Sequence, residues 1–194
     1  MEVTNNQNNI AANTDAMIPL ISYNCTAYLL QNNELVWKLL KYQTADAWNK
    51  TNLTSAEKSA LIYRGGNPDT MYDDYHIFFD DFQDDGINTE TTFLRIFPME
   101  DSPQTHLVTD VAICMVVYTH SKCNHLSNYQ TRVETIIQQL KETFNEKEIP
   151  KLGMLTYSQQ ASRLCKSMII GKVPYKGKVV IFHARSVSVR SGCQ

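Results

Sequence analysis

Residues 92–120 read TFLRIFPMEDSPQTHLVTDVAICMVVYTH. Two apolar segments rich in Val, Ile, Thr and Phe flank a polar tract that holds two prolines. The composition of 92–97 and of 106–120 predicts two strands. The tract from Pro98 to Thr105, with its acids and Pro103, predicts the polar turn between them. The pair forms an antiparallel hairpin longer than the core of so small a domain requires, and the rest of the chain is arranged around it.

On the C-terminal side, Ser127 and Gln130 have the spacing of a capping box. Val133, Ile136, Ile137, Leu140 and Phe144 follow at helical intervals, so an amphipathic helix ends before Pro150. Residues 151–157 predict a short strand, 158–170 are ambiguous, and 178–189 predict a closing strand. On the N-terminal side, Tyr75, Ile77 and Phe79 alternate with His76, Phe78 and Asp80 as a strand does. Thr54 and Glu57 form a second capping box, whose helix carries Ala60, Leu61 and Tyr63 and stops at Gly65–Gly66, with Pro68 blocking continuation. Leu29, Leu30, Val36, Trp37, Leu39 and Leu40 suit one broken helix or two short ones meeting near Asn32–Asn33. The expected organisation is a flexible N-terminal arm over 1–18 and a single α+β domain over 19–194. Within that domain a helical segment (19–68) precedes a core (69–194) of mostly antiparallel sheet with a long hairpin and one packed amphipathic helix.

Composition bounds the class. The chain has 194 residues, 43% of them hydrophobic and 10% aromatic, enough for a real core. The longest apolar run, 111–118, is far below the roughly 20 residues of a spanning helix. The polar, Asn-rich start has no signal-peptide pattern, so no membrane is expected. The five cysteines are scattered, without a CxxC, which suits free thiols in a reducing compartment. The net charge of −2 hides an asymmetry: residues 151–194 hold eight basic side chains and no acid, whereas 1–150 hold ten basic and all twenty acidic ones. Within 69–110 eleven acids face Arg95 alone.

The densest acidic tract is DDYHIFFDDFQDD at 73–85. Calcium loops need oxygen ligands at set spacings around a glycine, but Asp80–Asp81 and Asp84–Asp85 are adjacent pairs, and neighbours on a strand point to opposite faces. A contact or channel surface ranks first, a solvated loop close behind, and a metal site last. His120, Cys123 and His125 have zinc-like spacing but lack a fourth ligand. Cys114 lies in an apolar strand and reads as core, and no nucleotide-loop or hydrolase motif occurs. The basic residues are spread over strand and loop instead of a recognition helix, so sequence-specific DNA binding is not expected. Direct phosphate contact by Lys172, Lys176 and Lys178 stays open.

A small domain with a long hairpin, a mobile arm and opposed charges suits an assembly subunit, since head-to-tail rings join two different faces of one chain. The segments YHIFFDDF, TFLRIFPMEDSPQTHLVTDVAICMVVYTH, SNYQTRVETIIQQLKETF and KVVIFHARSV, over roughly 75–189, resemble in order and pattern the tail-terminator and neck (head–tail connector) ring proteins of tailed bacteriophages. The helical segment before them is larger than expected of the smallest members. The resemblance implies a non-enzymatic protein of the virion neck or tail, assembled in the host cytoplasm. It implies a six-fold or twelve-fold homo-oligomeric ring that meets the portal or an adjacent neck ring and tail proteins. Genomic DNA would pass through it without sequence-specific binding, and no cofactor is implied. On that reading the hairpin, 92–119, adds its edge to a neighbour. Asp80, Asp81, Asp84 and Asp85 face the channel or meet Lys172, Lys176 and Lys178 of the next subunit, and Arg95 belongs to the same surface. The competing readings are a small adaptor or host-interaction protein and an enzyme with an unrecognised site.

Overall fold

β3 (Val108–His120) lies inside a sheet, hydrogen-bonded along one edge to β2 (Thr92–Thr105) and along the other to β7 (Tyr175–Val187). The computed structural model describes residues 20–67, 69–81, 89–105, 108–150, 152–158, 168–170 and 175–187. At 100–105, 108–109, 168–170 and 185–187 it describes the backbone alone. The sheet runs β1 (Ile77–Phe78), β2, β3, β7, β5 (Gly153–Tyr157), β4 (Lys147–Ile149), with β6 (Met168–Ile170) also paired to β7. Among the described strands β1 and β2 pair in parallel and the other pairs are antiparallel. The fold is α+β with a mostly antiparallel sheet, as the sequence predicts.

Both faces of this sheet are apolar at its centre, which is why 111–117 reads as a continuous hydrophobic run instead of an alternation. Leu94, Ile96, Ile113, Met115, Val117, Val180 and Phe182 join one core with Leu29, Trp37, Leu40, Ile136, Leu140 and Phe144 of the helices. The opposite phase places Ala112, Cys114, Val116, Val179 and Ile181 in a second cluster. Phe93 joins Tyr72, Phe78 and Tyr175 in a third.

The tract from Pro98 to Thr105 is not the turn that its composition predicts. β2 runs through it, with Pro98 opposite Ile113 and Pro103 opposite Thr109, and the register slips between Pro98 and Glu100 and again between Pro103 and Thr105. A proline has no N–H to donate, and it is tolerated on an edge strand or at a bulge. β2 is such an edge, since β1 covers only Leu94 and Arg95. Thr105 pairs with Val108, and 106–107 lie outside the described residues.

The helical segment breaks where expected. α1 (Ile21–Asn32) and α2 (Glu34–Lys41) meet at Asn33, whose φ of −146° and ψ of 105° are extended. The Asn33 carboxamide oxygen accepts from Val36 N at 3.0 Å, and its nitrogen donates to Thr143 Oγ1 at 2.7 Å. One side chain thus caps α2 and ties it to α5 (Arg132–Phe144). The Thr54–Glu57 capping box forms at the start of α3 (Ser55–Ala60). That helix stops short of Gly65, because the Leu61 carbonyl is taken by His76 N at 2.8 Å and Ile77 N at 3.0 Å, and Ile62 bridges to Ile77. Pro68 lies outside the described residues. A short helix, α4 (Met71–Asp74), ends just before the strand expected over 75–80, of which β1 forms at Ile77–Phe78.

Ser127 and Gln130 do not cap α5. Ser127 Oγ accepts the Trp48 indole N–H at 3.0 Å, and α5 begins only at Arg132, with Asn124 Oδ1 accepting from Val133 N at 3.2 Å. β4 was not foreseen, and β7 starts at Tyr175, three residues before the expected Lys178. The 1–18 arm lies outside the described residues, as does all of 158–170 apart from Ser158 and β6. At ~1.5 Å per residue α5 is about 20 Å long, whereas β3 at ~3.3 Å per residue extends about 43 Å. The three-stranded ribbon therefore outruns the helix that packs on it.

Candidate functional site

The alternation of β2 sends Phe93 and Arg95 to the face opposite α1, α2 and α5, where Tyr72 of α4 packs. There the Arg95 side chain is only 3% exposed. Its guanidinium is ion-paired with Asp80 in the bend after β1, reaches Tyr72 Oη at 3.3 Å, and lies 5.0 Å above the Phe78 ring. Arg95, expected on an inter-subunit or channel surface, is thus buried within its own chain. An arginine held between aromatic side chains must carry its counter-charge with it, and Asp80, 50% exposed, supplies it.

Asp81 is exposed beside this pair, and Asp73 accepts from Thr89 Oγ1 at 2.8 Å. Asp84, Asp85 and Lys172 lie outside the described residues. On β7, Lys178 pairs across from Val117 and so shares the helix-bearing face. Its ammonium donates to both carboxylate oxygens of Glu134 on α5, at 2.8 and 2.6 Å. Lys176 lies two residues away on the same face, exposed and without an ion pair among the described residues. The sheet thus separates Asp80 from Lys176 and Lys178. Among the described residues the acidic and basic candidates are not brought together within one chain.

The outer edge of β2 is open over most of its length among the described residues. Beyond Leu94 and Arg95 it has no strand partner among the described residues as far as Thr105. Met99, at the first register slip, is half exposed.

Two of the three residues with zinc-like spacing are engaged. His120 Nδ1 accepts from Lys122 N at 3.2 Å, and Cys123 Sγ donates to the Glu90 carbonyl at 3.2 Å. Among the described residues no three His, Cys, Asp or Glu side chains converge as a metal site. Cys25, Cys114 and Cys123 are buried, and burial pushes the Cys25 thiol up to about 12, far from a thiolate at neutral pH. No helix among the described residues is long and apolar enough to cross a membrane.

Sequence reasoning passed over Arg132. It is fully buried at the first position of α5. Nε donates to the Cys123 carbonyl at 2.8 Å, Nη1 to the carbonyls of Leu39 and Tyr42, and Nη2 to that of Thr44 at 2.8 Å. Burial pulls its pKa down to about 10, which leaves it cationic at neutral pH. The guanidinium fork terminates α2 and clamps it to α5. The only signal for it is an arginine next to the first apolar position of an amphipathic helix, which a solvated residue would give equally well.

A family model described as YomW matches residues 32–183, from the α1–α2 junction to the middle of β7. No curated protein matches the chain.

Proposed function

The chain belongs to the YomW family, a phage-derived family name, and on that premise we propose that it is a structural, non-enzymatic subunit of a ring in the neck or tail-terminator region of a tailed phage. In this role it joins the portal to tail proteins and lines or seals the DNA channel. It needs no cofactor and works in the assembled virion.

The observation that carries this reading is the open edge of β2 on a ribbon that outruns its helix layer. An unpaired edge is a template for a strand of another chain. Pro98 and Pro103 offer no N–H, so the edge accepts a partner only in short stretches of fixed register. That suits one defined neighbour and disfavours open-ended sheet growth. The charge distribution is compatible with the same contact. Acids on one face and Lys176 on the other give a head-to-tail neighbour an orientation, because opposite charges on different faces of identical subunits attract only in that sense.

Negative-stain imaging and mass photometry of the purified chain over a wide concentration range test the proposal. Closed rings with a central hole are expected at high concentration or on a portal or tail template. A chain that stays monomeric under all of these conditions and is absent from purified particles would instead be an adaptor.

A further inference from the structure

Tyr129 is completely exposed, at 101%, yet its φ is +64°. A non-glycine residue in this left-handed region costs on the order of 1 kcal/mol. The turn that holds it is pinned. Leu126 N donates to Gln130 O at 3.0 Å, Tyr129 N to Leu126 O at 3.2 Å, and Ser127 N to Ala45 O at 2.8 Å. Trp48, itself 40% exposed, is tethered to the same turn through Ser127. The fold therefore holds a large aromatic ring in water, on a fixed support and in a costly backbone state. Rigid aromatic anchors of this kind dominate protein interfaces.

A receptor for such a ring exists on the same chain. A recess of about 350 Å³ opens between α1 and the strip from Ile62 to Arg64. Ala27, Leu30, Ile62 and Phe79 form its apolar walls, and Tyr23 and Arg64 stand at its edge. Arg64 is exposed and has no ion pair among the described residues. It is a free cation beside an apolar recess, a combination that suits an aromatic ring with a hydroxyl at its tip.

Ring and recess lie toward opposite ends of α2. The recess side is tied to the start of α2 through Lys58, which donates to the Leu30 carbonyl and pairs with Glu34. The Tyr129 turn is tied to Ala45 and Trp48, beyond the end of α2. Tyr129 is fully exposed, so it does not fill the recess of its own chain. Two different, complementary surfaces on one chain are what a heterologous contact requires.

We propose that Tyr129 of one copy seats in the Ala27–Leu30–Ile62 recess of the next copy, with Arg64 over its ring. The contact rests on the ring reading above and supplies its head-to-tail joint; the β2 edge is a separate contact.

The test uses the full chain with p-benzoylphenylalanine in place of Tyr129. Irradiation should link neighbouring copies, with the link on α1 or on the strip from Ile62 to Arg64. Tyr129→Asn keeps a residue that tolerates the left-handed state and should weaken self-association at least roughly tenfold, as loss of an aromatic anchor does. Ala27→Phe, which fills the recess, should do the same, and Arg64→Ala is a milder surface variant that should weaken association several-fold. A mixture of Tyr129→Asn with Ala27→Phe keeps one intact ring and one intact recess, and should form dimers without longer assemblies. If rings form and Tyr129→Asn leaves them unchanged, or the links map elsewhere, the contact is wrong while the ring reading stands. A wild-type chain that does not self-associate even on a portal or tail template brings down both.

Discussion

Arg95, on the face of β2 opposite α1, α2 and α5, draws its counter-charge from Asp80 in the bend after β1. One partner is buried and the other half in water, so the pair is asymmetric. Removing Asp80 leaves a buried cation with Tyr72 Oη and the Phe78 ring as its partners among the described residues. Asp80→Ala should therefore cost about 1–2 kcal/mol, less than the ~3–5 kcal/mol of a fully buried pair because water reaches half of the aspartate. Arg95→Met removes the need for the counter-charge and should be within about 1 kcal/mol of wild type. Urea unfolding of the two single variants and the double variant checks this. The double variant should match Arg95→Met, and a double variant as weak as the sum of the singles would contradict the coupling.

Arg132 makes a sharper case. Its guanidinium serves carbonyls of Leu39, Tyr42, Thr44 and Cys123 from one fixed plane. A lysine keeps the charge but loses the fork, so some of these acceptors go unsatisfied. Arg132→Lys is expected to destabilise the chain by about 3 kcal/mol or more, with several buried groups affected at once. Hydrogen exchange should speed up first in 42–48, where the clamp holds the chain after α2. A conservative outcome below ~1 kcal/mol would mean that water replaces the arginine at little cost.

The elements that were legible in the sequence were those whose signal is local. Asn33 breaks the helical segment because its own side chain caps the next helix, and Thr54 with Glu57 closes a capping box within four residues. Readings failed where a distant group claimed a local signal. Ser127 has the spacing of a cap, but the Trp48 indole takes its hydroxyl. The helix expected to run to Gly65 ends early because the 76–77 backbone takes the Leu61 carbonyl. The two prolines of β2 look like turn residues until the strand proves to be an edge. Burial of Arg95 was partly readable, since apolar residues at both phases of 92–97 already indicate a strand covered on two sides. The partner of Arg95, across an irregular bend, was not.

His76 should give the fold a pH dependence. It is buried, with Nδ1 at 2.9 Å from the Thr92 carbonyl and 3.1 Å from Thr91 Oγ1. Burial, with smaller contributions from Lys41 and Arg132, holds its pKa below the usual 6.5 against the opposing Thr92 bond. The unfolded chain thus takes up a proton near 6.5 that the folded chain refuses, and the unfolded state binds more protons. Stability is complete above 6.5, falls as the pH drops from there, and levels off below the depressed native value. Urea midpoints between pH 7.5 and 5 should show this fall, and His76→Asn, which does not titrate, should flatten that part of the profile. Equal slopes in the two proteins would assign the acid sensitivity to other groups.

Lys176 and Lys178 separate stability from assembly. Lys178 is engaged in cis with Glu134, at a partly exposed site where such a pair contributes about 0.2–1 kcal/mol. Lys178→Glu should lower stability by about that amount, plus a comparable repulsion from Glu134, and adding Glu134→Lys should restore it. Lys176 has no ion pair among the described residues, so Lys176→Glu should leave the urea midpoint unchanged. If the basic face meets the acidic face of a neighbour, the same substitution should weaken self-association and reduce its salt sensitivity, because one screened attraction has become a repulsion. Mass photometry at two ionic strengths reads both effects. A Lys176→Glu chain that assembles like wild type at low and high salt would remove the lysine face from the contact and leave the open β2 edge and Tyr129 as the joining elements.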